Sequence, residues 1–272
     1  MFARNILAAG TFVVSTSVLI QISRSKKSSM YTSCAKDNVV NKVFYNSESS
    51  VGTYSANDPC EDRNDFMSNS DYKIAVVFDG HGGWEVSDFA SNMLIPKLVM
   101  KLKDALLDKC LTDTRMDTDT IEVFADLEKT YIDRVRKPYE LGYGHVASVG
   151  SCVCVAITKD DRLTIANCGD CRAVLGSDIS VSSSDIGKKE KNVKSKFVAT
   201  RLSRDHNARI PLEVLNLQEQ HPDEEKADVV RCHANNASAC YVKGRLQLTR
   251  SLGDLYLKHE DFNAPPGQPR SK

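Results

Sequence analysis

What this sequence lacks narrows it first. It has no charge imbalance: 36 Lys and Arg stand against 36 Asp and Glu. No overall field therefore draws it to nucleic acid. The Lys-rich stretch 188–196 contains no interleaved aromatics, so it reads as a solvated loop rather than a nucleic-acid surface. There are no internal repeats. The nine cysteines are odd in number and form no compact framework; they fall in apolar, strand-like runs. Reduced, buried thiols in a reducing compartment are the expected state, rather than a disulfide-stapled secreted domain. Cys152/Cys154 and Cys168/Cys171 also offer a C-x-C then C-x-x-C spacing that zinc can use. Alternation of Cys152 and Cys154 on a strand with one face inward favours buried thiols instead.

Acidic residues are absent from the first 36 positions, which carry Arg4, Arg24, Lys26, Lys27 and Lys36 before Asp37 appears. Between Ile6 and Ile22 lies an apolar run broken by Thr11, Ser15, Thr16, Ser17 and Gln21. A basic, Ser-rich, acid-free start fits a mitochondrial presequence. A short apolar run ending in basic residues fits a membrane anchor through residues 6–22. A secretory signal fits the length but lacks an obvious small-residue cleavage site. Each reading places residues 1–36 outside a folded domain spanning 37–272, in a mitochondrial or membrane-associated protein.

What is present is an ordinary globular composition, 41% hydrophobic and 26% charged over 272 residues, enough for one large domain. Residues 39–45 are expected as a strand. Ile74–Phe78 is a continuous apolar run and predicts a buried strand. Asp79-Gly80-His81-Gly82-Gly83 then predicts a sharp loop. Apolar residues recur at helical spacing from Trp84 to about Leu107, with Pro96 a kink, and again over Asp119–Val135, where Asp119 and Glu122 suit a capping box. Ser151–Ile157, Arg162–Asn167 and Arg172–Leu175 predict an antiparallel meander. Ser177–Lys196 is a polar insert expected as a loop. Pro211–Gln220 predicts a helix opened by proline, and Val229–His233 with Ala239–Lys243 another hairpin. The fold class expected is α/β with mostly antiparallel sheets.

Asp79 is the leading candidate for chemistry. A carboxylate at the end of a buried strand, followed by glycine, makes a good hard-metal ligand, because the backbone carbonyl of Gly80 can coordinate as well. Oxygen-only ligation selects Mg²⁺ or Mn²⁺ over zinc. Two such ions roughly 3.5–4 Å apart can hold a phosphate and activate a water. His81 can protonate a leaving oxygen. An Asp-Gly turn with an incidental histidine is the competing structural reading. Glu61-Asp62 and Gly169-Asp170 are further acidic candidates, each with a bland surface or turn reading beside it.

Asp79-Gly80-His81-Gly82-Gly83 resembles the DGHGG signature of the protein phosphatase 2C family. Glu61-Asp62 resembles that family's upstream acidic motif, and Gly150-Ser151 the Gly-Ser that opens a core strand. Gly169-Asp170-Cys171-Arg172 resembles its GDSR motif, and Leu202-Ser203-Arg204-Asp205-His206 the L-S/T-x-D-H segment. Thr249-Arg250-Ser251-Leu252-Gly253-Asp254 resembles the SR-x-x-GD motif. The wording around residues 56–63 and 205–208 is similar to the pyruvate dehydrogenase phosphatase branch. The resemblance implies an αββα sandwich with two metal ions between the sheets. It implies Asp79 bridging them, with Gly80 and Glu61 completing parts of each shell. Asp170 is implied to hold a weaker third metal, His81 to act as general acid, and Asp254 and Arg172 to brace the site. The implied reaction is hydrolysis of phosphoserine and phosphothreonine in proteins by a metal-activated water, without a phosphoenzyme; a monomer is expected.

Two departures stand out. Asn57 occupies a position where many members of that family carry a phosphate-gripping arginine. The D-G-x-W-D segment and the final Asp-Asn are not found before Lys272. A fragment is therefore expected, with weak turnover. The alternative is an inactive relative that binds a phosphoprotein without hydrolysing it.

Overall fold

A computed structural model describes residues 3–6, 10–15, 18–22, 42–43, 49–55, 57–103, 113–159, 162–181, 194–233 and 236–263. Strands β1 (Ala3–Ile6), β2 (Gly10–Ser15), β3 (Val18–Ile22), β4 (Lys42–Val43) and β5 (Ser49–Thr53) open the chain. Then come β6 (Arg63–Ser68), β7 (Tyr72–His81), helix α1 (Glu85–Lys101) and helix α2 (Asp113–Glu140). The second half carries β8 (Gly150–Lys159), β9 (Arg162–Cys168), β10 (Arg172–Val181), β11 (Lys194–Arg201) and α3 (Pro211–Gln220). It ends with α4 (Lys226–Val229), β12 (Val230–His233), β13 (Asn236–Val242), β14 (Leu252–Gly253) and α5 (Leu255–Lys258).

The main sheet runs β1-β9-β8-β7-β6, with β14 joining β8. Its pairs are antiparallel. The apolar run in β7 is continuous because both its faces are buried. Ile74, Val76 and Phe78 pack against α1 and α2, while Ala75 and Val77 face the other way. β8 repeats this, with Val153, Val155 and Ile157 on the helix side and Cys152, Cys154 and Ala156 opposite. The second face meets Ala173 of β10 and Leu202 just past β11. Those strands form a separate sheet of order β11-β10-β2. The result is a layer of helices on a sheet that packs on a second sheet. α3 packs through Val214 and Leu217 on the β12–β13 hairpin.

Several expectations change. Asp79, Gly80 and His81 are not in a loop: β7 runs through them, because the ladder to β8 continues to the pair His81↔Gly150. The turn comes at Gly82 and Gly83, both at positive φ. β10 does not extend the meander but leaves for the second sheet. The polar insert is strand at both ends, with Ser177↔Val198 and Val181↔Lys194 in register; a backbone ladder does not depend on apolar side chains. Residues 182–193 of the insert lie outside the described residues. Asp119 is no N-cap, since α2 begins at Asp113. Met116 packs on the core and the Thr120 hydroxyl donates back to its carbonyl at 2.7 Å, within an already helical turn. α1 ends at Lys101 and runs on through Pro96. Its expected extension over residues 104–107 lies outside the described residues. So does the strand expected over 39–45, apart from β4.

The N-terminal segment also differs from expectation. β1 pairs with β9, β2 with β10 and β3 with β5, so those residues are part of the fold. Open edges of β9 and β10 present unpaired backbone groups, and an apolar, β-branched segment supplies them with partners. No helix among the described residues is long and apolar enough to cross a membrane. Among the cysteines, Cys232 and Cys240 form a disulfide across the β12–β13 hairpin, which corrects the expectation that all nine are reduced. They are directly opposed in the register, the geometry in which two thiols meet. Cys60, Cys152, Cys154, Cys168 and Cys171 are free.

Leu98 of α1 is fully buried between the helices and the sheet. Leu98→Ala is expected to lower unfolding free energy by about 2–5 kcal/mol, measured by urea denaturation.

Candidate active site

Asp79 reaches its position by strand parity. It is the register partner of Cys152, and directly opposed residues share a face. Asp79 therefore lies on the side facing the second sheet, at the end of the strand where the apolar cover stops. Gly80 follows with a definite task. A Cβ there would come well under 3.0 Å from the backbone carbonyl of Glu61. The missing side chain lets the Glu61 segment lie directly on β7. The Ser87 hydroxyl at the start of α1 donates to that same Glu61 carbonyl. Arg63 ties the segment together from the other side. Its Nη1 donates to the carbonyls of Cys60 at 2.8 Å and Asp62 at 2.9 Å, and its Nε meets Asp88 of α1 at 3.1 Å. Three sequence candidates, Glu61, Asp79 and Gly80, are thus brought to one strand end.

His81 lies beside them. Its Nε2 is 2.8 Å from Asp254 Oδ2. Burial works against the charged imidazolium, but the Asp254 hydrogen bond and the charges of Asp254, Asp79 and Glu61 outweigh it. The His81 pKa is therefore raised.

Asp170 arrives separately, from the turn between β9 and β10. Gly169 takes a φ of +108° there, a conformation glycine adopts at little cost. Asp170 Oδ1 accepts from the Cys152 thiol at 3.4 Å, and Oδ2 from Asn207 Nδ2 at 3.2 Å. The neighbouring Cys171, burial and the Asp170 charge hold the Cys152 thiol well up the scale, so it keeps its proton. Cys152 thus links Asp79, its register partner, to Asp170. The sequence pattern offers Cys152 a core role or, through its spacing, a zinc ligand's; nothing in that spacing signals the carboxylate contact.

The Leu202–Asn207 segment clamps this turn. Gly169 N–H donates to His206 Nδ1 at 3.2 Å, and His206 N–H donates to the Gly169 carbonyl at 2.9 Å. Arg172 grips Asp205 through Nε at 3.1 Å and Nη2 at 2.8 Å, and Arg201 reaches the same carboxylate. Burial raises the Asp205 pKa, but the two guanidiniums overcome it and the net direction is down. Arg172 thus ties the start of β10 to the Leu202–Asn207 segment.

The donors suit Mg²⁺ or Mn²⁺ in kind, being carboxylates and a carbonyl. They fall short in number: among the described residues no group of three or more His, Cys, Asp or Glu side chains could hold a metal ion. Glu61 Oε2 accepts from Asn57 Nδ2 at 3.3 Å, and Asp170 is engaged by Cys152 and Asn207.

A family model described as Protein phosphatase 2C matches residues 41–270. "Probable protein phosphatase 2C 78" of Oryza sativa subsp. japonica is 33% identical over 226 residues, covering 83% of this chain and 51% of the relative. "Probable protein phosphatase 2C 68" of Arabidopsis thaliana is 31% identical over 221 residues, covering 81% of this chain and 51% of the relative. The chain spans about half the length of the curated relatives it matches. Among solved structures, the serine-threonine phosphatase 2C from Toxoplasma gondii aligns with a TM-score of 0.53 at 13% identity, covering 95% of this chain and 73% of that one. At that identity the likeness concerns the fold.

The clamp makes a pH prediction. Burial, with the Arg250 charge, lowers the His206 pKa from 6.5 to about 4. Between those values the unfolded chain binds more protons than the folded one, so stability falls as pH drops through the window. The melting temperature is expected to decline from pH 6.5 towards 4, and the decline to be shallower in His206→Gln. An equal slope in both proteins would remove His206 from this role.

Proposed function

The chain belongs to the protein phosphatase 2C family, and from that premise we propose that it serves the hydrolysis of phosphoserine and phosphothreonine in proteins. The observation that carries this reading is the contact between the Glu61 segment and Gly80. It brings two acidic motifs, from segments on either side of a hairpin, to the strand end that also bears His81.

In this reading Asp79, the Gly80 carbonyl, Glu61 and Asp170 are donors to Mg²⁺ or Mn²⁺, two ions and a weaker third. When bound, such ions supply a water acidic enough to attack phosphorus near neutral pH. Further ligands are needed to complete the shells, since the described donors are too few. The chain's own residues do the rest. Asp79 and Glu61 hold negative charge at the mouth between the sheets. His81 gives a proton to the seryl or threonyl oxygen as it leaves, which prevents an alkoxide from accumulating. The buried β7 and β8 fix the spacing of these groups, because a strand covered on both faces has little freedom to shift.

The test is release of phosphate from a phosphothreonine peptide in the presence of Mn²⁺. Asp79→Asn is expected to abolish it. His81→Ala is expected to lower kcat by about 100-fold or more with little change in KM, the range for a lost general acid. Hydrolysis that survives Asp79→Asn, or that continues in excess chelator, would overturn the reading.

A further inference from the structure

We propose that Asp254 is a positioning residue for His81: it holds the proton on Nε2 and so leaves Nδ1 as the ring nitrogen that meets the substrate's leaving oxygen. This rests on the phosphatase reading for its catalytic meaning and on geometry alone for the tautomer.

The geometry starts at Gly150. It is the register partner of His81 on one side and of Gly253 on the other. A Cβ on Gly150 would come under 3.0 Å from both His81 Nε2 and Asp254 Oδ2. The missing side chain is therefore what lets imidazole and carboxylate meet across β8. Gly253 next takes a φ of +75°, and a Cβ there would collide with the Val149 carbonyl. Asp254 itself adopts the left-handed conformation, with φ 50° and ψ 39°, which a non-glycine residue holds only when its surroundings require it.

Those surroundings are specific. Asp254 N–H donates to the Val149 carbonyl at 2.9 Å. Gly253 N–H donates to Glu128 Oε2 of α2 at 2.9 Å, and Glu128 Oε1 accepts from Lys258 at 2.6 Å. The Ser251 hydroxyl donates to the same Asp254 oxygen that meets His81. The Asp254 side chain is 2% exposed and that of His81 26%. Asp254 Oδ1 is buried and makes no hydrogen bond to the described residues, so the carboxylate's one strong side-chain commitment beyond its own turn is to His81.

A carboxylate accepts and does not donate, so the nitrogen 2.8 Å from it must carry hydrogen. In the imidazolium Nδ1 carries the second hydrogen, the one that can pass to the leaving oxygen; once it has gone, the neutral ring keeps its hydrogen on Nε2. Fixing the tautomer and ring orientation through a buried carboxylate is how an imidazole is kept ready for one direction of proton transfer. The alternative reading of Asp254 as a purely structural brace explains its turn. It does not explain why Gly150 is kept bare beneath the contact.

The experiment uses the full chain with ¹⁵N-labelled histidine at alkaline pH, where imidazole is neutral. Long-range ¹⁵N–¹H spectra report which ring nitrogen is protonated. The expected result is the Nε2–H tautomer for His81 in the wild type. In Asp254→Asn, which keeps the shape and can donate, His81 is expected to move towards the Nδ1–H tautomer. Gly150→Ala, which wedges the pair apart and leaves both groups in place, is expected to give a mixture. Where phosphopeptide turnover is measured, Asp254→Asn should lower kcat by about tenfold or more while KM changes by less than about twofold. A wild-type Nδ1–H tautomer, or a His81 tautomer unchanged in a folded Asp254→Asn protein, overturns the proposal. The expected tautomer change in a chain that hydrolyses no phosphopeptide supports the positioning role and removes the phosphatase reading instead.

Discussion

The central constraint is a strand covered on both sides. β7 buries its even-numbered side chains against helices and its odd-numbered ones against a second sheet. Charge within it would have to be desolvated without a partner, at a cost of several kcal/mol. The strand's ends escape that constraint, at Lys73 where it begins and at Asp79 and His81 where it stops. The site is therefore placed by where the core ends. Rigidity comes with the position, since shifting Asp79 along the ladder would move every side chain of β7 to the wrong face.

Close approach is the second theme, and glycine is its means. Gly80 admits the carbonyl of Glu61, and Gly150 admits the His81–Asp254 contact. Around these two bare positions the acidic motifs are fastened by groups from distant parts of the chain. Arg63 tethers one loop to α1, Glu128 tethers another to α2, and His206 locks the Asp170 turn. Each fastens a segment that carries one of the acidic motifs.

Much of this was legible in the sequence. The apolar run Ile74–Phe78, the helical spacing after Trp84 and the proline-led helix at Pro211 all appear where periodicity placed them. The Glu61 segment, Asp79, Gly80 and His81 share one strand end, and Asp170 reaches Cys152 on the partner strand. What was not legible depends on pairing over distance. Glycine content suggested a loop at residues 79–83, but the partner strand β8 imposed extended geometry on the first three. Polarity suggested a loop over 177–196, but the ladder between β10 and β11 is indifferent to polarity. The route of β10 into a second sheet follows from which edges need covering, and local spacing does not encode that. Asp254 was readable as a motif residue; that its carboxylate ends on His81 required the turn's left-handed backbone.

The contact between His81 and Asp254 joins residues 173 positions apart, and the Gly253–Glu128 bond spans 125. Such closures are entropically late events in a folding chain, since a long loop must be pinned before the contact returns anything. Helices α1 and α2 and the β8–β9 hairpin involve short separations and can form first. A chain paused at that stage would have a collapsed core and a misaligned imidazole. The His81–Asp254 geometry is thus a report on the completion of folding, and a nascent or partly unfolded copy would lack it.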